Sequence, residues 1–310
     1  MKLTPTLLAA AMLAAISFQA EAKKVQLGYL LKPGDEFTYT TAVAQDIAQD
    51  VMGQTNTMTM ETTMSYHFKV IESNADGSFR LSGMLVELIM DSKTPMGDVT
   101  YNSSTDKEVP DYAKMSTLTL NETYLFTLSR GGAVTDVVAP EGMEEKISKA
   151  MAEMENLASQ LVQTSANIGA TPEGFAKSVG GFFYFNFPES PVKPKFKWST
   201  QEKVEQMVVF NTAIEYTFLG NKQGTNDIKV VTQITQADPS AGMQLQGMNM
   251  TYELAGGKEG TYSLDPVTGL ISKGEGVTTI SGVISVESSE LPAPMTIPMS
   301  IKSTEKISRK

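Results

Sequence analysis

This chain predicts an α+β fold, mainly antiparallel β: two similar β-rich halves, a curved sheet or half-barrel, packed around one long and one short amphipathic helix. Three observations carry that expectation. Met58, Met60, Thr62, Met64, Tyr66 and Phe68 alternate with polar residues, and Val208, Phe210, Thr212, Ile214, Tyr216 and Phe218 repeat the pattern with three of six positions identical. Successive strand side chains point to opposite faces, so each run describes a strand with one oily side. Turn-forming clusters punctuate both regions. Between them, the apolar period changes from two to three or four, the spacing of one helix stripe.

In chain order, Lys32-Pro33-Gly34-Asp35 is a turn, and Phe37 and Tyr39 enter a first strand. The strand of the first run ends at Asn74-Ala75-Asp76-Gly77-Ser78, where Gly supplies positive φ and Asn and Asp tolerate it. Phe79 to Met90 returns as its partner. Gly83 is expected to mark a bulge, because apolar parity changes from Phe79 and Leu81 to Met84, Val86, Leu88 and Met90 across it. Tyr124, Phe126 and Leu128 form a further hairpin around Ser129-Arg130-Gly131-Gly132.

From Glu141 to about Ser165, the residues Met143, Ile147, Met151, Met154, Leu157, Leu161 and Val162 fall on one helical stripe. Pro140 suits the first helical position, and Glu141, Glu144 and Glu145 complement the helix dipole. Thr171-Pro172 starts a shorter helix that stops at Gly180-Gly181, followed by the aromatic run Phe182, Phe183, Tyr184, Phe185, Phe187. In the second half, Phe196-Lys197-Trp198 echoes Phe37-Thr38-Tyr39 and opens one long strand to Leu219. That strand turns at residues 220–224, and a last hairpin turns at Asp265-Pro266-Val267-Thr268-Gly269. The organisation expected is a signal peptide at 1–22, an N-terminal β-rich half at 23–139, a helical linker and aromatic segment at 140–190, and a C-terminal β-rich half at 191–310.

The ends and the composition bound the function. Lys2, the apolar stretch Leu7 to Phe18 and Ala20-Glu21-Ala22 read as a secretory signal cleaved after Ala22. With no cysteine the fold relies on its core, and export without disulfides points to the periplasm, with secretion as the alternative. The net charge of −10 opposes nucleic acid and anionic lipid surfaces as partners.

The opening Leu31-Lys32-Pro33-Gly34-Asp35 with its Phe-x-Tyr strand, the strand-Gly-Gly-strand unit before a helix, Phe187-Pro188-Glu189-Ser190-Pro191-Val192-Lys193 ahead of Trp198, and the Asp265 to Gly269 turn carry a resemblance. Together they resemble an uncharacterised domain-of-unknown-function family of exported proteins from Gram-negative bacteria, over nearly all of the mature chain. One departure is Pro194-Lys195, where a Gly-Asp pair is expected. The layout is also similar to the half-barrel carriers of lipoproteins and lipids. No functional residues come with either resemblance.

Material for catalysis is scarce. The one histidine, His67, lies on the polar parity of its strand, and no G-x-S-x-G elbow, P-loop or G-x-G-x-x-G precedes a helix. Zinc and iron sites draw on His and Cys. Glu72-x-Asn74-x-Asp76-Gly77 imitates the start of a calcium loop but has Gly83 at the twelfth position, so it reads as a turn. A carboxylate-based hydrolase would need two facing acids, and no spacing singles out a pair. No cofactor is expected.

Nineteen methionines, many on apolar strand faces, suit a malleable hydrophobic cavity as well as an ordinary core. The expected function is a non-catalytic periplasmic protein binding a lipid or lipidated partner in a sheet/helix cavity. Met58, Met60, Met64, Tyr66, Phe68, Met151, Met154, Phe182, Phe183, Phe185, Phe210 and Phe218 are the candidate lining. The alternative is a structural or interaction module of the cell envelope with a filled core. An outer-membrane barrel is a third candidate, opposed by the mid-chain helix and the polar C-terminal residues 305–310.

Overall fold

The alternating runs become strands of one antiparallel sheet in the computed structural model, which describes residues 23–95, 97–153, 169–205, 208–238, 242–245, 248–288 and 294–310. The expected signal segment 1–22 and the helix-stripe positions Met154, Leu157, Leu161 and Val162 lie outside the described residues.

The first part of the chain supplies β1 (Glu36–Val51), β2 (Gln54–Ser73), β3 (Phe79–Thr94), β4 (Gly97–Asn102), β5 (Tyr124–Leu128) and β6 (Val134–Val138). The later part supplies β7 (Lys197–Glu205), β8 (Val209–Lys222), β9 (Thr225–Gln236), β10 (Gly242–Leu245), β11 (Met248–Leu264), β12 (Ile271–Ser288) and β13 (Met295–Arg309). Sheet order is β6-β5-β3-β2-β1-β13-β12-β11-β9-β8-β7, with β4 on β3 and β10 on β11. The two parts are therefore two meanders joined through β1 and β13, where Tyr39 faces Arg309 and Gln49 faces Met299.

Among the described residues, three short α-helices accompany the sheet: α1 (Lys114–Thr117), α2 (Met143–Ala152) and α3 (Pro172–Gly180). Thr171 caps α3 by accepting the Gly174 N–H at 3.1 Å, with Pro172 at the first helical position, as Thr-Pro predicts. Helix α2 begins at Met143, not at Pro140. Gly142 is its N-cap in the left-handed conformation, and Glu144 and Glu145 occupy the first turn. Its stripe residues Met143 and Ile147 face the core.

The sheet wraps around residues 170–187. Strands near opposite edges both reach this segment: Tyr124 of β5 stacks on Phe175 at 4.1 Å between ring centroids, and Tyr216 of β8 donates to the Tyr184 carbonyl at 2.7 Å. Phe182, Phe183, Phe185 and Phe187 are buried there as an aromatic plug, contributing roughly 6–12 kcal/mol of gross burial. Phe183 alone meets the rings of Tyr29, Phe37, Tyr39, Phe68 and Phe126 within 6.4 Å.

Two expectations need correction. The parity switch in β3 falls near Val86, where Ser65 pairs with Glu87 and Tyr66 with Leu85, and not at Gly83. Gly83 stays on the buried face because a Cβ there would sit 3.0–3.1 Å from the rings of Phe68, Phe126 and Phe175. Its missing side chain is a packing requirement. The expected single strand from Phe196 to Leu219 is instead two, since β7 folds back on β8 and sets Trp198 opposite Tyr216. Alternation alone does not record a reversal of direction.

Candidate functional site

Ladder registers divide the sheet's inner face into zones along the strand direction. At one end lie the plug and the aromatic residues it covers: Phe37 and Tyr39 on β1, Tyr66 and Phe68 on β2, Tyr216 and Phe218 on β8, Tyr262 on β11. Two residues past Tyr216 on β8, four past Tyr262 on β11 and six past Tyr39 on β1 comes a polar belt. Gln45, Ser303, Thr278, Lys258 and Thr232 stand side by side on β1, β13, β12, β11 and β9.

Beyond the belt the face is aliphatic again. Met58, Ile47, Ile301 and Ile280 form the next row across β2, β1, β13 and β12, all half-buried. Past them, Tyr252, Leu254, Ile284 and Val286 form a second core cluster, flanked by the partly buried Val208, Phe210, Met248, Met250, Met295, Ile297 and Met299. From Lys258 to Met248 this end measures about 33 Å along β11, at ~3.3 Å per residue. The opposite face of the same strands is polar: Thr57, Thr59 and Glu61 on β2, Glu253 on β11, and Thr296, Ser300 and Lys302 on β13 are exposed.

The twelve sequence-predicted site residues are thus separated. Tyr66, Phe68, Phe182, Phe183, Phe185 and Phe218 belong to the filled end, packed on one another. Met58 and Phe210 lie half-buried beyond the belt, Met60 stands half-buried in the belt row beside Gln45, and Met64 sits at the margin against the core. Met151 is half-buried on α2, and Met154 lies outside the described residues. Sequence reasoning missed Ile280, Ile284, Met295, Ile297, Met299 and Ile301. The period-two run from Met295 to Ile301 is the signal that could have found those on β13.

The belt carries the most ordered electrostatics of the inner face. Lys258 Nζ lies 2.6 Å from Glu305 Oε2, and the Tyr262 hydroxyl donates to the same oxygen at 3.2 Å. The ammonium also stands 5.6 Å and 5.8 Å from the ring centroids of Tyr184 and Tyr262, within cation–π range. Burial pulls the Lys258 pKa down, but the facing Tyr262 and Glu305 outweigh it and hold the ammonium above its usual range. Tyr262 reaches Glu305 across β12 because Gly274 leaves room: a Cβ there would lie 2.2 Å from the ring. Nothing in the spacing of positions 258 and 305 announces this pair.

Elsewhere, concavities are shallower in chemical content. One of about 560 Å³ on the outer face is lined by Thr40, Lys273, Glu275 and Lys306; another of about 750 Å³ lies between β6, α2 and α3. His67 is on the outer face, its Nδ1 3.2 Å from Thr38 Oγ1 and its Nε2 3.9 Å from Glu36. Lys69, hydrogen-bonded to Glu36, holds that carboxyl below its usual pKa. No group of three or more His, Asp or Glu able to hold a metal ion occurs among the described residues. Nor is any helix among them long and apolar enough to cross a membrane.

Comparison with known proteins bears out the expected likeness to an uncharacterised family: the model of DUF6263, a family of unknown function, matches residues 76–271. No curated protein matches the sequence. Among solved structures, one of lipovitellin, titled for its lipid–protein interactions, aligns with a TM-score of 0.49 at 12% identity, covering 91% of this chain and 25% of that one. The chain thus spans a quarter of the length of that protein. An outer membrane channel from Pseudomonas putida F1 aligns at TM-score 0.25 and 7% identity, over 91% of this chain and 97% of the channel. A DUF1329 family protein from Desulfovibrio piger aligns at TM-score 0.13 and 12% identity, over 89% and 84% respectively.

Proposed function

This chain belongs to the DUF6263 family, whose function is unknown, and we propose that it is a non-catalytic protein of the periplasm that binds a lipid or the lipid moiety of a partner on the open end of its sheet. One observation carries the reading: the apolar inner face continues for about 33 Å past the plug, lined by half-buried methionine and isoleucine. Thioether side chains adapt to ligands of variable shape, which suits a surface that accepts acyl chains. One leaflet of a bilayer's hydrocarbon is about 15 Å thick, so this length holds extended acyl chains.

The strand alternation opposes the outer-membrane barrel. A barrel turns its apolar residues outward to lipid, whereas here they share the face that holds the plug and the polar residues point away. Export rests on the signal-like residues 1–22; a mature mass beginning at Lys23 in a periplasmic extract supports it, and retention of the full mass opposes it. We also assign the two meanders to duplication. Tyr39 faces Tyr66 and Trp198 faces Tyr216 in equivalent strand pairs, and β2 and β8 pass from buried Phe to half-buried residues in the same order.

The test of the binding reading is native mass spectrometry of protein purified from its own envelope, with uptake of a fluorescent fatty-acyl probe. Adducts of lipid mass and saturable uptake are expected. A bare chain with no uptake overturns the reading. The rival is an interaction module whose open end is covered by another protein; it predicts envelope crosslinks through residues placed at Met299 or Met58 and no lipid adduct.

A further inference from the structure

We propose that the Lys258–Glu305 pair is the headgroup station of the open end, and that the ligand is an amphiphile with a neutral, hydrogen-bonding head, such as an acylglycerol. The inference rests on the lipid reading above and names the class of lipid. Its geometric basis is the junction of zones. The pair lies between the aromatic plug and the aliphatic rows, so a chain laid along Ile280, Ile301 and Met299 ends with its polar group at the belt. The two side chains keep 22% and 26% of their surface, enough for a ligand to reach them.

Charge then selects the head. An ammonium carries three N–H donors and a carboxylate about four acceptor sites, more than Glu305, Lys258 and the Tyr262 hydroxyl use among themselves. A hydroxyl can accept from Lys258 and donate to Glu305 at once, and an ester carbonyl beside it can accept from Lys258. An anionic head gains from Lys258 but meets the Glu305 carboxylate a few ångströms away, on a chain of net charge −10. A cationic head meets the reverse conflict. Gln45, Ser303, Thr278 and Thr232 in the same row add neutral hydrogen-bonding groups and no further charge.

The test is competition against a bound fluorescent alkyl probe by monoolein, oleate and headless octadecane, in the full mature chain. Monoolein is expected to compete about tenfold better than oleate, the worth of one hydrogen bond to a charged group. In Glu305→Gln that advantage disappears, because Lys258 then favours the oleate carboxylate, while octadecane competes as before. Because removing one partner of a half-buried pair costs stability, Lys258→Met with Glu305→Gln removes both charges together and is expected to show the same loss of preference. Equal competition by monoolein and oleate, a preference for oleate, or an unchanged preference in both variants overturns the headgroup assignment with the lipid reading intact. Failure of all three ligands and of the probe to bind overturns the lipid reading itself.

Discussion

The two ends of the inner face are made by the same strands, yet among the described residues one is sealed and the other is open. On β2, Phe68 and Tyr66 are buried while Met60 and Met58 are half-buried; on β8, Phe218 and Tyr216 are buried while Phe210 is not. What differs is the covering element. Residues 170–187 return to the sheet at one end and pack Phe175, Phe182, Phe183 and Phe185 against it, whereas beyond Lys258 and Glu305, among the described residues, the sheet's own side chains pack on one another. An apolar strand face is therefore an offer of burial. Which end becomes core and which remains a surface depends on where the connecting segment lands.

Deleting the centre of the plug should break the comparison most strongly. Phe183→Ala removes a fully buried ring and is expected to cost about 3–5 kcal/mol, read as a lowered denaturant midpoint at unchanged m-value. Alkaline titration comes next. Burial pushes the Tyr66 and Tyr216 hydroxyls up to about 12, against about 10 in an unfolded chain. The unfolded chain then releases its protons first. Stability is full below pH ~10 and falls as pH rises through the folded values, so tyrosinate absorbance from the filled end should appear together with unfolding.

Asp265 closes the β11–β12 turn at the filled end. Burial pushes its carboxyl up, but the Val267 N–H at 2.8 Å, the Arg309 guanidinium at 2.8 Å and the Thr268 N–H outweigh it and hold the pKa below the usual range. That stability is present above the unfolded value of ~3.9 and lost as pH falls through the lower folded value. Asp265→Asn should therefore cost about 1–3 kcal/mol at pH 7 and progressively less as pH falls below ~3.9, measured by thermal melts. The smallest effect belongs to the open end. Met299→Ala is expected to shift stability by about 1 kcal/mol or less while weakening uptake of an acyl probe; a loss as large as that of Phe183→Ala would erase the distinction between the ends.

Much of the sheet was legible because period-two alternation is local. Asn74 to Ser78, Ser129 to Gly132 and Asp265 to Gly269 turn where their residues predict, and Thr171-Pro172 starts a helix. The Gly83 assignment failed because a glycine that yields space to three rings looks, in one dimension, like a glycine that bends a strand. The candidate lining was read as one set. Six of its members are core, Met60 stands in the belt row and Met58 and Phe210 lie past it, since apolar parity is the same in both zones.

By itself the sequence determined which side of each strand is oily, where strands turn, and that mainly antiparallel β-structure dominates, because those properties depend on residues a few positions apart. Only the tertiary structure decided that β1 pairs with β13, that Lys258 meets Glu305 across 47 residues, and that the plug covers one end of the face. Each of these depends on where distant segments meet, and close packing around the aromatic plug is the force that selects one meeting over the others.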